Sequence, residues 1–392
     1  MENNYETVCL CALNSIFGYE PRVASALIEN LGSASAVFEM SDADKDAVFG
    51  PYSKYRGKIV KKDLDAAEAV LQRLRRDGTV FVGITSDEYP KRLKGCEDAP
   101  LGIFVRSDSP VERIFAGTEH YVAVVGTREI TPYGEQWCRD IVRTLAGSGA
   151  APCIVSGLAY GTDIIAHRTA VECGLPTIAV MATGTDTVYP GRHRGFAEHL
   201  AGLPGCALVT DYPPGTAPVA LNFIRRNRII AGLSDSVILV ESAVKGGGMI
   251  TSRIAFSYNR SVYALPGRGD DSRSQGCNHL IREGVAEIID PLDGLNVQLG
   301  LCEKGRGCGG MQGCCRIVRG DLTERYSRTL PEDKIAAMTA VLLKVRERRG
   351  IDFDGLCDAT GLPYRSVAEV VALLENDGMI SVDLLRRCSI RG

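Results

Sequence analysis

The sequence predicts an α/β protein built on a doubly wound parallel sheet, with helices before it and a winged-helix-like unit after it. Three observations carry that expectation. From Tyr121 onward, short apolar runs alternate with glycine-punctuated loops and amphipathic segments: "YVAVV", "PCIVSG", "PTIAVMAT", "CALVTD", "DSVILVES", "SVYALPG" and "AEIID". Strands apolar along their whole length, each followed by a helical pattern, mark a sheet covered on both faces by crossover helices. Towards both ends of the chain the periodicity is instead that of helices.

In chain order, residues 1–75 read as a helical domain, SAM-like or helix-hairpin-helix-like. Its helices fall in "TVCLCALNSIF", "RVASALIENL" and "DLDAAEAVLQRLRR". The turn "FGYEPRVASALI" has one glycine where a DNA-contacting hairpin usually has two, so a helical packing module is the reading. Residues 76–298 hold the sheet. Residues 299–330 form a linker, by their glycines, charges and lack of periodicity. In residues 331–392, "KIAAMTAVLLKVRERRG", "DFDGLCDATG" and "PYRSVAEVVALLENDGMISV" give three helices and a strand-like end. That is a winged-helix pattern. Its candidate recognition helix is acidic, which favours a protein contact or scaffolding over duplex DNA.

A chain of 392 residues exceeds what one core usually organises. Hydrophobic content of 45% and charged content of 24% exclude wholesale disorder. With 45 Lys+Arg against 48 Asp+Glu, the net charge is -3. No bulk basic surface advertises nucleic acid, so any polyanion site is a local patch. The opening residues lack a basic segment, and no stretch approaches about 18 consecutive apolar residues. A cytoplasmic protein without signal peptide or membrane span is expected.

The cysteines, 14 in all, are scattered through strands and helices, as free thiols in a reducing compartment are. Cys302, Cys308, Cys314 and Cys315 cluster in "CEKGRGCGGMQGCC". The cluster lacks the paired spacing and histidines of a zinc module, and a linker is preferred to a metal site.

The loops at the strand ends narrow the chemistry. "VAVVGTREITPYG" lacks the glycine spacing of a dinucleotide fold, and "KGGGMITS" has its lysine ahead of the glycines, unlike a triphosphate-binding loop. No cofactor is expected. "SGLAYGTDIIAH" and "KGGGMITSRIAF" instead place glycines and hydroxyls just before a helix N-terminus, where free amides favour an anion. Arg128 sits at a third strand end. Arg225, Arg226 and Arg228 in "LNFIRRNRIIAG" follow the proline-braced "DYPPGTAPVA". Arginine suits bidentate phosphate contact and stacking on bases, and these groups converge on phosphate. A charge run of this kind also serves as a solvated helix start, which is the competing reading. Asp163 and His167, at i and i+4, read as an acid/base pair or as a helix cap with a structural histidine.

At these residues the sequence resembles the DNA-processing protein A family, DprA, also called Smf. The likeness runs through "EYPKRL", "DAPLGIFVR", "VVGTREITPYG", "VSGLAYGTDIIAH", "ATGTDTVYP", "DYPPGTAP", "RNRIIAGLS" and "PGRGDDSRSQGCNHLIREGV", in the family's order. The resemblance implies an extended Rossmann-like domain without nucleotide. It implies a non-enzymatic binder of single-stranded DNA that protects incoming strands during natural transformation and loads RecA. Carried over by position, Arg128, Arg225, Arg226 and Arg228 contact phosphates and Asn227 orders the loop. Ser156, Gly157, Gly247 and Gly248 supply backbone contacts or shape the pocket, and Leu280, Ile281 and Val285 lie in a homodimer contact. Tyr160 stands where the family often has arginine, and offers a ring on which a base can stack. Ile224 stands where it often has proline, and "GGGMIT" replaces a more usual serine-containing loop. The competing expectation is a Rossmann-like hydrolase of nucleoside monophosphates, with Asp163 or Glu241 as acid/base.

Overall fold

Each of the seven apolar runs is a strand. A computed structural model describes residues 5–289, 292–301, 330–348, 350–383 and 386–390, with Leu322 and Tyr326. The strands are β1 (Thr79–Gly83), β2 (Gly102–Arg106), β3 (Tyr121–Val125), β4 (Cys153–Ser156), β5 (Thr177–Val180), β6 (Ala207–Thr210), β7 (Ser236–Leu239), β8 (Ser261–Ala264) and β9 (Glu287–Ile288). They form one sheet in the order β1-β2-β6-β5-β4-β3-β7-β8-β9. The strands from β6 across to β9 are parallel to their neighbours.

Side-chain alternation along each strand separates two cores. Tyr121, Ala123 and Val125 of β3 face one of them, closed by the helices Ala220–Leu233, Gly247–Ser257 and Gln275–Arg282. Val122 and Val124 face the other, closed by Pro132–Ala146, Thr162–Glu172 and Arg194–Ala201. Both faces are therefore covered, which is why the strands carry no polar alternation.

One edge departs from the expected parallel sheet. β1 and β2 pair antiparallel with each other, and β2 pairs antiparallel with β6. The segment joining β1 to β2 carries only the short helix Lys91–Lys94, which is too little for the covering helix of a parallel crossover. This edge also ties in the N-terminal helices. Phe81, Leu101 and Phe104 share a cluster with Leu10, Leu13, Phe17 and Leu71, so the helices Tyr5–Ile16 and Lys61–Arg76 pack directly on the edge of the sheet.

Beyond residue 330, the helices Glu332–Glu347, Phe353–Thr360 and Tyr364–Asn376 surround a fourth cluster that includes Met338, Val341, Leu356 and Val370. A small antiparallel sheet accompanies them, with β12 (Arg387–Ile390) between β10 (Ile351–Asp352) and β11 (Ile380–Val382). The described cysteines, such as Cys138, Cys153 and Cys277, are unpaired thiols. Cys302, Cys308, Cys314 and Cys315 lie outside the described residues. Among the described residues no helix is long and apolar enough to cross a membrane.

Candidate nucleic-acid interface

From β3 the chain proceeds to β4 on one side and later returns to β7 on the other. A crevice at such a switch point is where open α/β sheets bind ligands. Here the first helix N-terminus beside it is occupied from within. Thr131 caps the helix Pro132–Ala146, its Oγ1 accepting from the Gly134 amide at 3.1 Å. Glu241, just past β7 and fully buried, accepts from the Thr131 amide at 2.9 Å and from its hydroxyl. A carboxylate of the protein thus stands where a dinucleotide fold places pyrophosphate. It explains why the glycine fingerprint is missing, and it commits Glu241 to a structural bond.

The polar groups meet further along the strand ends. Arg128 is exposed, with its guanidinium 5.1 Å from the centre of the Phe223 ring. Tyr189 packs edge-on against the same ring at 5.3 Å, and Tyr160 packs edge-on against His193 at 5.0 Å. Tyr160 and Tyr189 are 43% and 44% exposed, so both keep part of a ring in solvent. Phe223 and Tyr189 were not singled out in the sequence. The aromatic two positions ahead of Arg225 was the available signal for Phe223.

Arg226 lies beneath this surface rather than on it. It is buried, donating to Gly157 O at 2.6 Å and to Val180 O, while its Nε donates to Asn227 Oδ1 at 3.3 Å. A β-carbon on residue 157 would overlap the guanidinium, which is what makes glycine necessary there. Burial, the main cause, lowers the Arg226 pKa to about 10, with Asp163 opposing and Arg128 adding to the shift. The side chain still carries its charge at neutral pH. Gly161, at φ +73, brings the loop backbone onto Thr127 and Arg128, and the Thr162 amide donates to Thr127 O at 3.1 Å. The loops after β3 and β4 are therefore joined around Arg128.

The other assigned residues separate by burial. Arg228 is buried in an ion pair with Asp211 at 2.5 Å and also donates to Asp98 O. Its guanidinium is turned into the protein, away from the phosphate contact the sequence led us to expect. The reason is the helix register, which puts residue 228 on the sheet-facing side with Ile229. Ser156 is fully buried and donates to Val124 O at 2.6 Å, binding β4 to β3. Arg225 remains partly exposed, its guanidinium 4.1 Å from the centre of the Tyr19 ring and donating to Tyr19 O. Gly247 opens the helix Gly247–Ser257, which has no side-chain cap and no acid in its first turn, while Gly248 is buried behind it. Leu280 is wholly inside the chain's own core, with Ile281 and Val285 partly buried against it.

Asp163 and His167 belong to the interior. Asp163 accepts from the Ala159 amide at 3.3 Å, and burial raises its pKa while Arg226 works against the rise. His167 Nδ1 and Thr177 Oγ1 are 2.7 Å apart, and burial pushes the imidazole pKa down to about 3.

Fold and site together define an extended Rossmann-like protein whose strand ends bring an exposed arginine and aromatic rings together in place of dinucleotide hardware. The model for the family described as DNA recombination-mediator protein A matches residues 80–299. The chain belongs to that family. It is 40% identical to the protein Smf of Escherichia coli over 235 residues, which cover 60% of this chain and 61% of that one. With the protein Smf of Synechocystis it shares 35% identity over 382 residues, 92% of this chain and 93% of the relative. The crystal structure of DNA processing protein A from Streptococcus pneumoniae superposes with a TM-score of 0.60 at 28% identity, covering 75% of this chain and 98% of that one.

Proposed function

We propose that the strand-end crevice binds the backbone of single-stranded DNA. On this reading the protein is a non-catalytic recombination mediator of the bacterial cytoplasm, protecting strands during natural transformation and passing them to RecA. Arg128 carries the reading: an exposed cation over an aromatic ring, at the switch point of the sheet, with the buried charge of Arg226 nearby. Flexible single strands present phosphates and unstacked bases together, and arginine beside Phe223, Tyr189 and Tyr160 suits both. Glu241 and Asp163, the acids of the hydrolase reading, are engaged by backbone amides.

We take residues 1–75, 76–298 and 331–392 as the functional units, the last as a winged-helix-like protein contact. A second copy is expected against the segment of Leu280, Ile281 and Val285, of which Ile281 and Val285 keep part of their side chains exposed.

Titration of labelled single- and double-stranded oligonucleotides at several salt concentrations tests the reading. Single strands should bind more tightly. Arg128→Ala should weaken them about tenfold and reduce the slope of log K against log salt by about 0.7, the share of one phosphate. Equal affinity for duplex, or an unchanged slope, would overturn the assignment.

A further inference from the structure

The segment "YSKYRGKIVKK" sets Lys54, Arg56, Lys58, Lys61 and Lys62 among Tyr52 and Tyr55 with no acidic residue between them, in a chain of net charge -3. It lies in the N-terminal helical region, outside the residues matched by the family model. Glu20 takes up Lys54 at 3.0 Å, and Asp46 takes up Arg56. Among the described residues no ion pair engages Lys58, Lys61 or Lys62, and all three are exposed. Tyr52, six residues ahead of Lys58, is 98% exposed, its ring standing in solvent.

This basic segment is tied to the strand-end site through one turn. Tyr19, 52% exposed, lies between the helices Tyr5–Ile16 and Pro21–Leu31. It holds the Arg225 guanidinium against its ring, and its hydroxyl donates to Asn222 Oδ1 at 3.0 Å. Asn14 donates to Asp211 O at 2.9 Å, fixing the same turn to the end of β6. The next residue, Glu20, is the partner of Lys54, whose ammonium sits 4.6 Å over the Tyr55 ring. The first two turns of the helix Ala220–Leu233 thus carry Phe223 towards Arg128 on one side and Asn222 and Arg225 towards Tyr19 on the other. Leu221 and Ile224 are exposed, 53% and 47%, on those turns. Cations and aromatic rings pair along this path: Arg128 with Phe223, Arg225 with Tyr19 and Lys54 with Tyr55, and the exposed Tyr52, Lys58, Lys61 and Lys62 flank Lys54 in the chain.

We propose that the N-terminal helical region extends the single-strand track. A strand gripped at Arg128 continues over the turn at Ile224, past Arg225 and Tyr19, onto Lys58, Lys61 and Lys62. This rests on the single-strand reading of the strand-end site, and strand length separates the two. The full chain is titrated with labelled oligo(dT) of about 6 and about 30 nucleotides, lengths bracketing one binding site and a longer track. Arg128→Ala should weaken both. The triple variant Lys58→Ala, Lys61→Ala, Lys62→Ala should leave the short oligomer within about twofold, weaken the long one about tenfold or more, and reduce its salt slope by about 2. Tyr19→Ala should weaken the long oligomer, and Tyr19→Phe should restore it, because the ring and the backbone carbonyl hold Arg225. Equal weakening of both lengths by the triple variant, or no weakening of the long one, overturns the extended track while the strand-end site stands. A short-oligomer affinity indifferent to Arg128→Ala overturns the site on which the track rests. Unchanged melting temperatures of the variants keep either outcome from being read as unfolding.

Discussion

The guanidinium of Arg226 lies on the backbone of Gly157: Nη1 donates to Gly157 O at 2.6 Å, and a β-carbon on residue 157 would overlap it. A buried charge is held in place by two carbonyls and by the Asn227 side chain. Gly157→Ala would force either the loop or the guanidinium to move. We expect a loss of about 1–3 kcal/mol in stability, the usual cost of overpacking, together with weaker single-strand binding as the loop after β4 shifts. Urea denaturation and fluorescence anisotropy on one preparation check it. Stability and affinity both equal to wild type would mean that the contact is not maintained in solution.

The arginines of "FIRRNR" should separate by the kind of damage they cause. Arg228→Ala strands the buried Asp211 carboxylate and should cost about 3–5 kcal/mol of stability, as breaking a buried pair does. Arg225→Ala removes a partly exposed contact and should change stability by no more than about 1 kcal/mol, while weakening DNA and lowering the salt slope. Denaturation curves for the two variants, set beside their binding curves, decide it. An Arg228→Ala protein as stable as wild type would reverse our view of its side chain.

The parallel sheet was legible because strands buried on both faces write continuous apolar runs, and all seven such runs are strands. The antiparallel edge was not, because β1 and β2 gain their identity from packing against Phe17 and Leu13, far away in sequence. At the site, Arg128 and Tyr160 stand exposed at the strand ends, on loops whose glycines were visible. Burial was the hidden variable. Nothing in "RRNR" distinguishes Arg225, turned to Tyr19, from Arg228, turned to Asp211, until the helix register and the end of β6 are known. The bond from Glu241 to Thr131 spans 110 positions and leaves no local trace.

That bond makes its own prediction. Glu241→Ala removes the acceptor of the Thr131 amide and hydroxyl at the mouth of the helix Pro132–Ala146. The loss should be about 1–3 kcal/mol, since buried donors are left unsatisfied. It also removes a negative charge from the end of β7, so the affinity for single strands should hold or rise when measured below the unfolding transition. A fall in affinity with unchanged stability would mean that Glu241 serves the ligand and not the helix.

His167 should make the protein sensitive to mild acid. In the folded chain burial, and then Arg226 and His193, hold its pKa down to about 3, whereas the ordinary value is 6.5. Between these values the unfolded chain binds a proton that the folded chain refuses, so stability falls as pH falls. One such site contributes about 1.4 kcal/mol per pH unit, or about 2 kcal/mol between pH 6.5 and pH 5. Asp163 acts with the opposite sign, because burial raises its pKa and the folded chain takes up that proton first. The comparison that isolates the histidine is therefore with His167→Gln, which removes the titration and keeps a polar group near Thr177. Urea denaturation at about pH 7, 6 and 5 should show wild type losing stability more steeply than the variant, by about one proton's worth of slope. Parallel pH dependences would mean that His167 is protonated in the folded state or reached by water, and the buried, neutral imidazole would have to be abandoned.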